Sequence, residues 1–332
     1  HVDDLLPHAR ALPCVMAEIP AEQLADADKV YIVARFFDTN PKIIARFPRY
    51  QELADARLGS PQETALRWSE PDFRDLQVLF NLAWTDPDWL AQEPLQALVD
   101  KGRDYDKADK QIVLDEHLRL LGEVIPLHKR LQEAGQIEIT MTPYAHPILP
   151  LLVDTNQAQQ AMPSASLPAP PFQYGQDAVA QVEKGVEMYR AHFGQDPRGM
   201  WPAEGSVSQM IVTMVSKAGI QWMASDEEVL AKSLGLDSFT RGADDLVVEL
   251  DRMYRPYSVV GRGDPVAMVF RDHVISDKVG FTYSGTPGGA AAADFIQRIH
   301  DIREGLAAAD APGPHLVTVI LDGENAWEYY DN

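Results

Sequence analysis

Short apolar runs that end in polar or aromatic residues recur along this chain, separated by stretches with helical spacing, and this alternation constrains the fold more than any other feature. Leu76 to Trp84 is such a run, ending at Thr85-Asp86-Pro87, and reads as a buried strand opening into a loop. A long helix follows from about Lys107 to Ala134, closed by Gly135. Gln136 to Met141 then reads as a strand, Gly175 to Phe193 as a helix, Gly199 to Trp201 as a strand and Ser206 to Ala218 as a helix. Further strands are expected at Ile220 to Ala224, Leu246 to Leu250, Val266 to Arg271 and Leu316 to Leu321, with an Ala-rich helix from Gly289 to about Gly305. This βα succession predicts an α/β fold whose parallel sheet is closed or nearly closed. Residues 21 to 58, interrupted at Asn40-Pro41 and Phe47-Pro48, read as a helical insertion, and Met162 to Phe172 as a Pro-rich surface loop.

Charge and composition exclude partners rather than name one. The 332 residues carry 29 Lys and Arg against 50 Asp and Glu, a formal charge of −21, and no basic run that would hold a nucleic-acid backbone against that field. A neutral or cationic substrate is compatible, and so is an acidic surface that merely keeps the chain dispersed. Cys14 is the single cysteine, so neither an intrachain disulfide nor a cysteine zinc site is expected. No apolar stretch reaches the roughly 18 to 20 residues that cross a bilayer, which predicts no membrane partner. The start, His1-Val2-Asp3-Asp4, is neither a basic leader nor an initiator Met, so the first residue is expected to lie inside a longer chain. The cytoplasm is then only the default compartment.

Reactive residues of parallel barrels sit at the carboxyl ends of strands. Five such places stand out: Asn81 to Asp86, Glu138 to His146, Gly199 to Glu204, Val269 to Asp277, and Leu321 to Glu328. All five combine a carboxylate with an aromatic or a histidine. That mixture suits sugars, whose C–H faces stack on aromatic rings and whose hydroxyls pair with carboxylates and imidazoles. Glycosidic cleavage needs two carboxyl groups, one to attack or to activate water and one to protonate the leaving oxygen. Glu204 and Asp272 are the best-placed pair. Taken singly, Glu204 would equally complement a helix N-terminus, Asp272 would equally pair with Arg271, Asp277 would serve as a turn residue, and the tryptophans would serve as core.

Together these segments resemble glycoside hydrolase family 57, the α-amylase and amylopullulanase group. Gly135 to Thr140 with His146 to Leu152 is similar to the family's second signature, Gly199 to Ser208 to its third, Phe270 to Asp277 to its fourth and Leu321 to Glu328 to its fifth. The resemblance extends over most of the chain beyond about residue 20, and Leu79 to Trp84, Trp222 to Glu227 and Tyr254 to Tyr257 also look like family stretches. It implies one catalytic domain over 1–332, an incomplete (β/α)7 barrel with helical insertions at about 20–60 and 88–134. The first signature, a His-Gln-Pro motif on the first strand, has no counterpart, and the chain stops just after the fifth. A first strand and a C-terminal helical region are therefore expected to lie outside this sequence.

The resemblance further implies Glu204 as nucleophile and an Asp of the fourth signature as acid/base. Asp272 is favoured over Asp277, because only Arg271 separates it from the apolar run Val266 to Phe270, whereas Asp277 lies five residues further into the loop. Retention would set the pair about 5 to 5.5 Å apart, and Arg271 would have to turn away from Asp272. His146, Trp201, His273, Asp277, Glu138, Asp322, Glu324, Trp327 and Trp84 are implied as substrate-binding residues. No metal and no cofactor is called for. The expected substrate is an α-glucan polysaccharide or oligosaccharide, hydrolysed at α-1,4 or α-1,6 linkages. The rivals are a 4-α-glucanotransferase or branching enzyme using the same pair, a catalytically silent glucan binder, and a barrel that cleaves another glycoside.

Overall fold

The computed structural model describes residues 12–323 and 329–330, which divide into two compact units, 12–127 with 329–330 and 128–323. The first is helical: α1 (Leu12–Glu18), α2 (Asp26–Arg35), α3 (Pro41–Arg46), α4 (Pro48–Asp55), α5 (Pro61–Arg67), α6 (Glu70–Ala83), α7 (Pro87–Leu90), α8 (Leu95–Lys101) and the start of α9 (Lys107–Glu133). Several of its prolines open helices, while Pro126 lies inside α9. Pro41, Pro48 and Pro61 each occupy the first turn, where no N–H is needed, and Asn40 and Ser60 cap the first and last of these three helices with side-chain oxygens. Ile32, Phe36, Tyr50, Leu53, Phe73, Leu76, Leu79 and Leu82 are almost fully buried together, each such side chain contributing about 1.5 to 3 kcal/mol. The insertions expected near 20–60 and 88–134 are thus helical.

Leu76 to Trp84 is a correction. The run is the carboxyl half of α6, with Trp84 as its C-cap, not a strand. It is apolar on nearly every face because nearly every face is buried, and a continuous apolar run carries no period to separate helix from strand. The decisive signal lay upstream. The Asp72 carboxylate accepts from the Ser69 amide at 2.8 Å and from its hydroxyl at 2.6 Å, one half of a capping box, with Pro71 in the first turn.

The second unit holds a small sheet of β1 (Gly199–Met200), β2 (Trp222–Asp226), β3 (Tyr257–Val259) and β4 (Val266–Arg271), in the order β1-β2-β4-β3. β1, β2 and β4 run parallel, with Met200 opposite Met223 and Asp226 opposite Arg271. β3, which the sequence reading did not anticipate, pairs antiparallel with β4. Single parallel bridges extend the parallel set, Met141 to Met200 on one side and Thr318 to Arg271 on the other. The strands expected over Gln136 to Met141 and Leu316 to Leu321 are otherwise irregular, and Leu246 to Leu250 carries one antiparallel bridge, Arg241 to Val247, before a helical turn begins.

Around this sheet lie α10 (Leu149–Val153), α11 (Ala158–Ala161), α12 (Gly175–Phe193), α13 (Gln209–Lys217), α14 (Glu227–Ser233), α15 (Leu250–Met253), α16 (His273–Gly280) and α17 (Gly288–Ala308). α12 has the expected bounds, and Val182 and Val186 on its inner face meet Met200, Ile211, Val215 and Met223. The helix sits close on the 141–142 segment, because a Cβ on Gly185 would stand 2.6 Å from the Met141 side chain. That approach fixes the start of the loop that carries His146. The loop over 162–172 is without regular structure, as expected. Among the described residues, no helix is long and apolar enough to cross a membrane.

Candidate active site

The chain leaves β1 through Trp201-Pro202 into a tight 3-10 turn, Ala203–Gly205, in which Glu204 takes φ 57° and ψ 23° and Gly205 takes φ 63°. A side-chain-bearing residue in this left-handed region costs about 1 kcal/mol or more, so the surroundings must impose it. They do so at Gly205. The fully buried Ser225 hydroxyl, from β2, donates to its carbonyl at 2.7 Å, and the Trp201 ring lies 3.2 Å from where a Cβ would stand. The outcome is a carboxylate turned out from a strand end, with the Glu204 side chain 71% exposed.

His146 reaches the same point from the neighbouring segment. Met141 N–H donates to the Gly199 carbonyl at 3.0 Å and Trp201 N–H to the Met141 carbonyl at 2.8 Å, which lays residues 141–146 alongside β1. His146 also has a positive φ, 56°, and its Nε2 stands 3.3 Å from Glu204 Oε1. Its Nδ1 stands 2.9 Å from Thr142 Oγ1. A carboxylate accepts, so Nε2 is the nitrogen that donates to Glu204, and Nδ1 is left to accept a hydrogen bond from the Thr142 hydroxyl.

At the end of β4 the two candidate aspartates part. Asp272 is 1% exposed and caps α16, accepting from Ile275 N–H at 3.0 Å on Oδ1. Arg241 Nη2 donates to the same oxygen at 3.3 Å, and Tyr254 donates to Oδ2 at 2.6 Å. Arg241 is held in turn by Glu227, at 2.6 and 2.7 Å, and Glu227 also accepts from His273 N–H at 2.8 Å. Burial works against the Arg241 charge, but the Glu227 hydrogen bond and the two carboxylates outweigh it and hold the guanidinium above its ordinary range. Burial, then the charge and hydrogen bond of Asp272, push the Tyr254 phenol well up, so it stays a neutral hydroxyl.

Asp277 faces elsewhere. Arg271 Nη2 donates to Asp277 Oδ1 at 2.6 Å, its Nε lies 3.5 Å from Asp226, and His273 Nε2 lies 2.9 Å from Asp277 Oδ2. Arg271 thus pairs with Asp226 and Asp277, and the guanidinium beside Asp272 is that of Arg241.

Trp201 and Asp322 line one cavity of about 650 Å³ with Trp222, Thr140, Thr318 and Leu321. Glu138 is not with them. It accepts from Trp222 Nε1 at 2.7 Å and pairs with Arg198, at the amino end of the parallel strands, where Gly199 leaves room for the Trp222 ring. Trp84 lies in the first unit, edge-on to Phe80. Glu324 and Trp327 fall outside the described residues. Ser225, Thr142, Glu227, Arg241 and Tyr254 received no role from sequence. Of these, Ser225, Glu227 and Tyr254 lie inside the family-like stretches, and that is the available signal. Among the described residues, no three His, Cys, Asp or Glu side chains are grouped to hold a metal ion.

The family model for glycosyl hydrolase family 57 matches residues 21–332. Over 99 residues the chain is 29% identical to alpha-amylase 1 of Dictyoglomus thermophilum, covering 30% of this chain and 11% of that protein. Among solved structures it is similar to the alpha-amylase AmyC from Thermotoga maritima, with a TM-score of 0.46 and 14% identity over 95% of this chain and 57% of that one. It is also similar to the branching enzyme from Pyrococcus horikoshii, with a TM-score of 0.45 and 14% identity over 92% of this chain and 61% of that one. The chain therefore spans about a tenth of the length of the curated amylase and less than two thirds of these two structures. With a family model matched over nearly its whole length, the chain belongs to glycosyl hydrolase family 57.

Proposed function

We propose that this chain is the catalytic part of a retaining glycosidase acting on α-glucans. Its parallel set, from Met141 through β1, β2 and β4 to Thr318, is read as part of an incomplete (β/α)7 barrel. The observation that carries the proposal is Glu204, displayed on a left-handed turn at the carboxyl end of a parallel strand within reach of His146. Apart from His146, a carboxylate so exposed gains little from this costly conformation, whereas a nucleophile has to be turned out toward a sugar.

In this reading Glu204 attacks the anomeric carbon while Asp272 gives a proton to the glycosidic oxygen, the C–O bond breaks, and the aglycone leaves as an alcohol. Water then attacks the glycosyl ester, Asp272 takes its proton, and Glu204 is released with the sugar configuration retained. His146 Nε2–H steadies the Glu204 carboxylate, and Trp201, Asp322 and His273 meet the sugar. The substrate class rests on the family, whose members named above are an amylase and a branching enzyme. Mass spectrometry of the protein after incubation with a slow fluorinated maltosyl substrate tests the nucleophile. A covalent sugar on the Glu204 peptide supports the reading, and an adduct elsewhere, or none in a protein that turns over maltooligosaccharides, contradicts it.

A further inference from the structure

The two oxygens of Asp272 have unlike neighbours. Oδ1 receives only obligate donors, the Ile275 amide at 3.0 Å and the Arg241 guanidinium at 3.3 Å. Neither can accept a proton, so no proton rests on Oδ1 while they stay. Oδ2 receives the Tyr254 hydroxyl at 2.6 Å, and a hydroxyl can either donate or accept. Arg241 does not wander, because Glu227 takes the same nitrogen at 2.6 and 2.7 Å and Arg241 Nη1 donates to the Asp245 carbonyl at 2.8 Å. The other charged groups at this strand end, Arg271, His273, Asp226 and Asp277, pair among themselves.

We propose that Oδ2 is the reacting oxygen of Asp272, that Tyr254 is its positioning residue, and that Arg241, locked by Glu227, positions Oδ1. The inference rests on the reading of Asp272 as the acid/base. In the first step the Oδ2–H bond breaks toward the glycosidic oxygen, and the Tyr254 hydroxyl turns to donate to the carboxylate left behind. In the second step Oδ2 takes a proton from water and the hydroxyl gives way. Tyr254 neither gains nor loses a proton. It keeps the buried carboxylate from being left without a donor on Oδ2, a loss that would disfavour both steps.

The test compares two substrates in one protein. A maltooligosaccharide has a poor leaving group that needs the acid in bond cleavage, while an aryl maltoside with a 4-nitrophenolate leaving group does not. Their ratio of kcat/KM cancels any loss of folded protein. Tyr254→Phe should lower the ratio roughly tenfold or more, short of the full 10² to 10⁴ that general acid catalysis contributes. Arg241→Lys, which keeps the charge but not the fork, should lower it less, and Glu227→Gln should follow Arg241→Lys. An unchanged ratio in Tyr254→Phe and in Arg241→Lys would overturn the proposal. Asp272→Asn tests the underlying reading separately: it should lower the ratio most, and added azide should restore turnover of the aryl substrate as a glycosyl azide. Should Asp272→Asn leave the ratio unmoved, the acid/base reading itself fails, whatever the other variants do.

Discussion

His146 Nε2 stands 3.3 Å from Glu204 Oε1, and both residues hold a positive φ to meet there. Two side-chain-bearing residues in the left-handed region, on neighbouring segments, are costly to keep unless they act together. His146→Gln keeps a donor with less reach and His146→Ala removes it. The loss of a hydrogen bond to a charged group is about 1.5 to 3 kcal/mol, roughly tenfold to 150-fold in kcat/KM. Steady-state kinetics on maltooligosaccharides should place His146→Ala in that range and His146→Gln above it.

The Glu204 turn is held from behind by Ser225. Its hydroxyl is fully buried and donates to the Gly205 carbonyl at 2.7 Å, so Ser225→Ala leaves that acceptor unmatched at a cost of about 1 kcal/mol. A lower kcat with little change in KM should accompany a small fall in melting temperature. Gly205→Ala should be worse. It places a methyl at φ 63° and within 3.2 Å of the Trp201 ring, and thermal unfolding of the two variants should rank them in that order.

Lys110 makes the first unit sensitive to pH. Its ammonium is buried and donates to the Ile19 carbonyl at 2.7 Å and the Glu18 carbonyl at 3.2 Å, and burial lowers its pKa from 10.5 to about 8. Between these values the unfolded chain binds the proton that the folded chain gives up, so this group's contribution to stability rises with pH through the window. Lys110→Met abolishes the dependence. Urea unfolding at pH 8 and at pH 10 should show the wild type gaining on the variant at the higher pH, and a constant difference would contradict the assignment.

What was legible in the sequence was what left a periodic or capped trace. α12 and β4 fall where spacing and terminal residues put them. The strand-end motifs also point to Glu204 and His146, although each alone has a duller reading and it is the family resemblance that singles them out. Leu76 to Trp84 misled because complete burial erases the difference between a helix and a strand, and the capping box before it was the better witness. Glu138 misled for another reason. It was read as belonging to the carboxyl end with His146, but the bridge at Met141 leaves Glu138 at the amino end, beside Trp222 and Arg198. Arg241 and Tyr254 reach Asp272 from 31 and 18 residues away, a convergence that no local spacing encodes.

The central claim is that Glu204 carries out a double displacement on an α-glucan. Proton NMR of the first products formed from a maltooligosaccharide, recorded before mutarotation with the intact protein and with Glu204→Gln, tests it most directly. The account predicts α-anomeric products from the wild type and their loss in the variant; β-anomeric products, or undiminished turnover by Glu204→Gln, would contradict it.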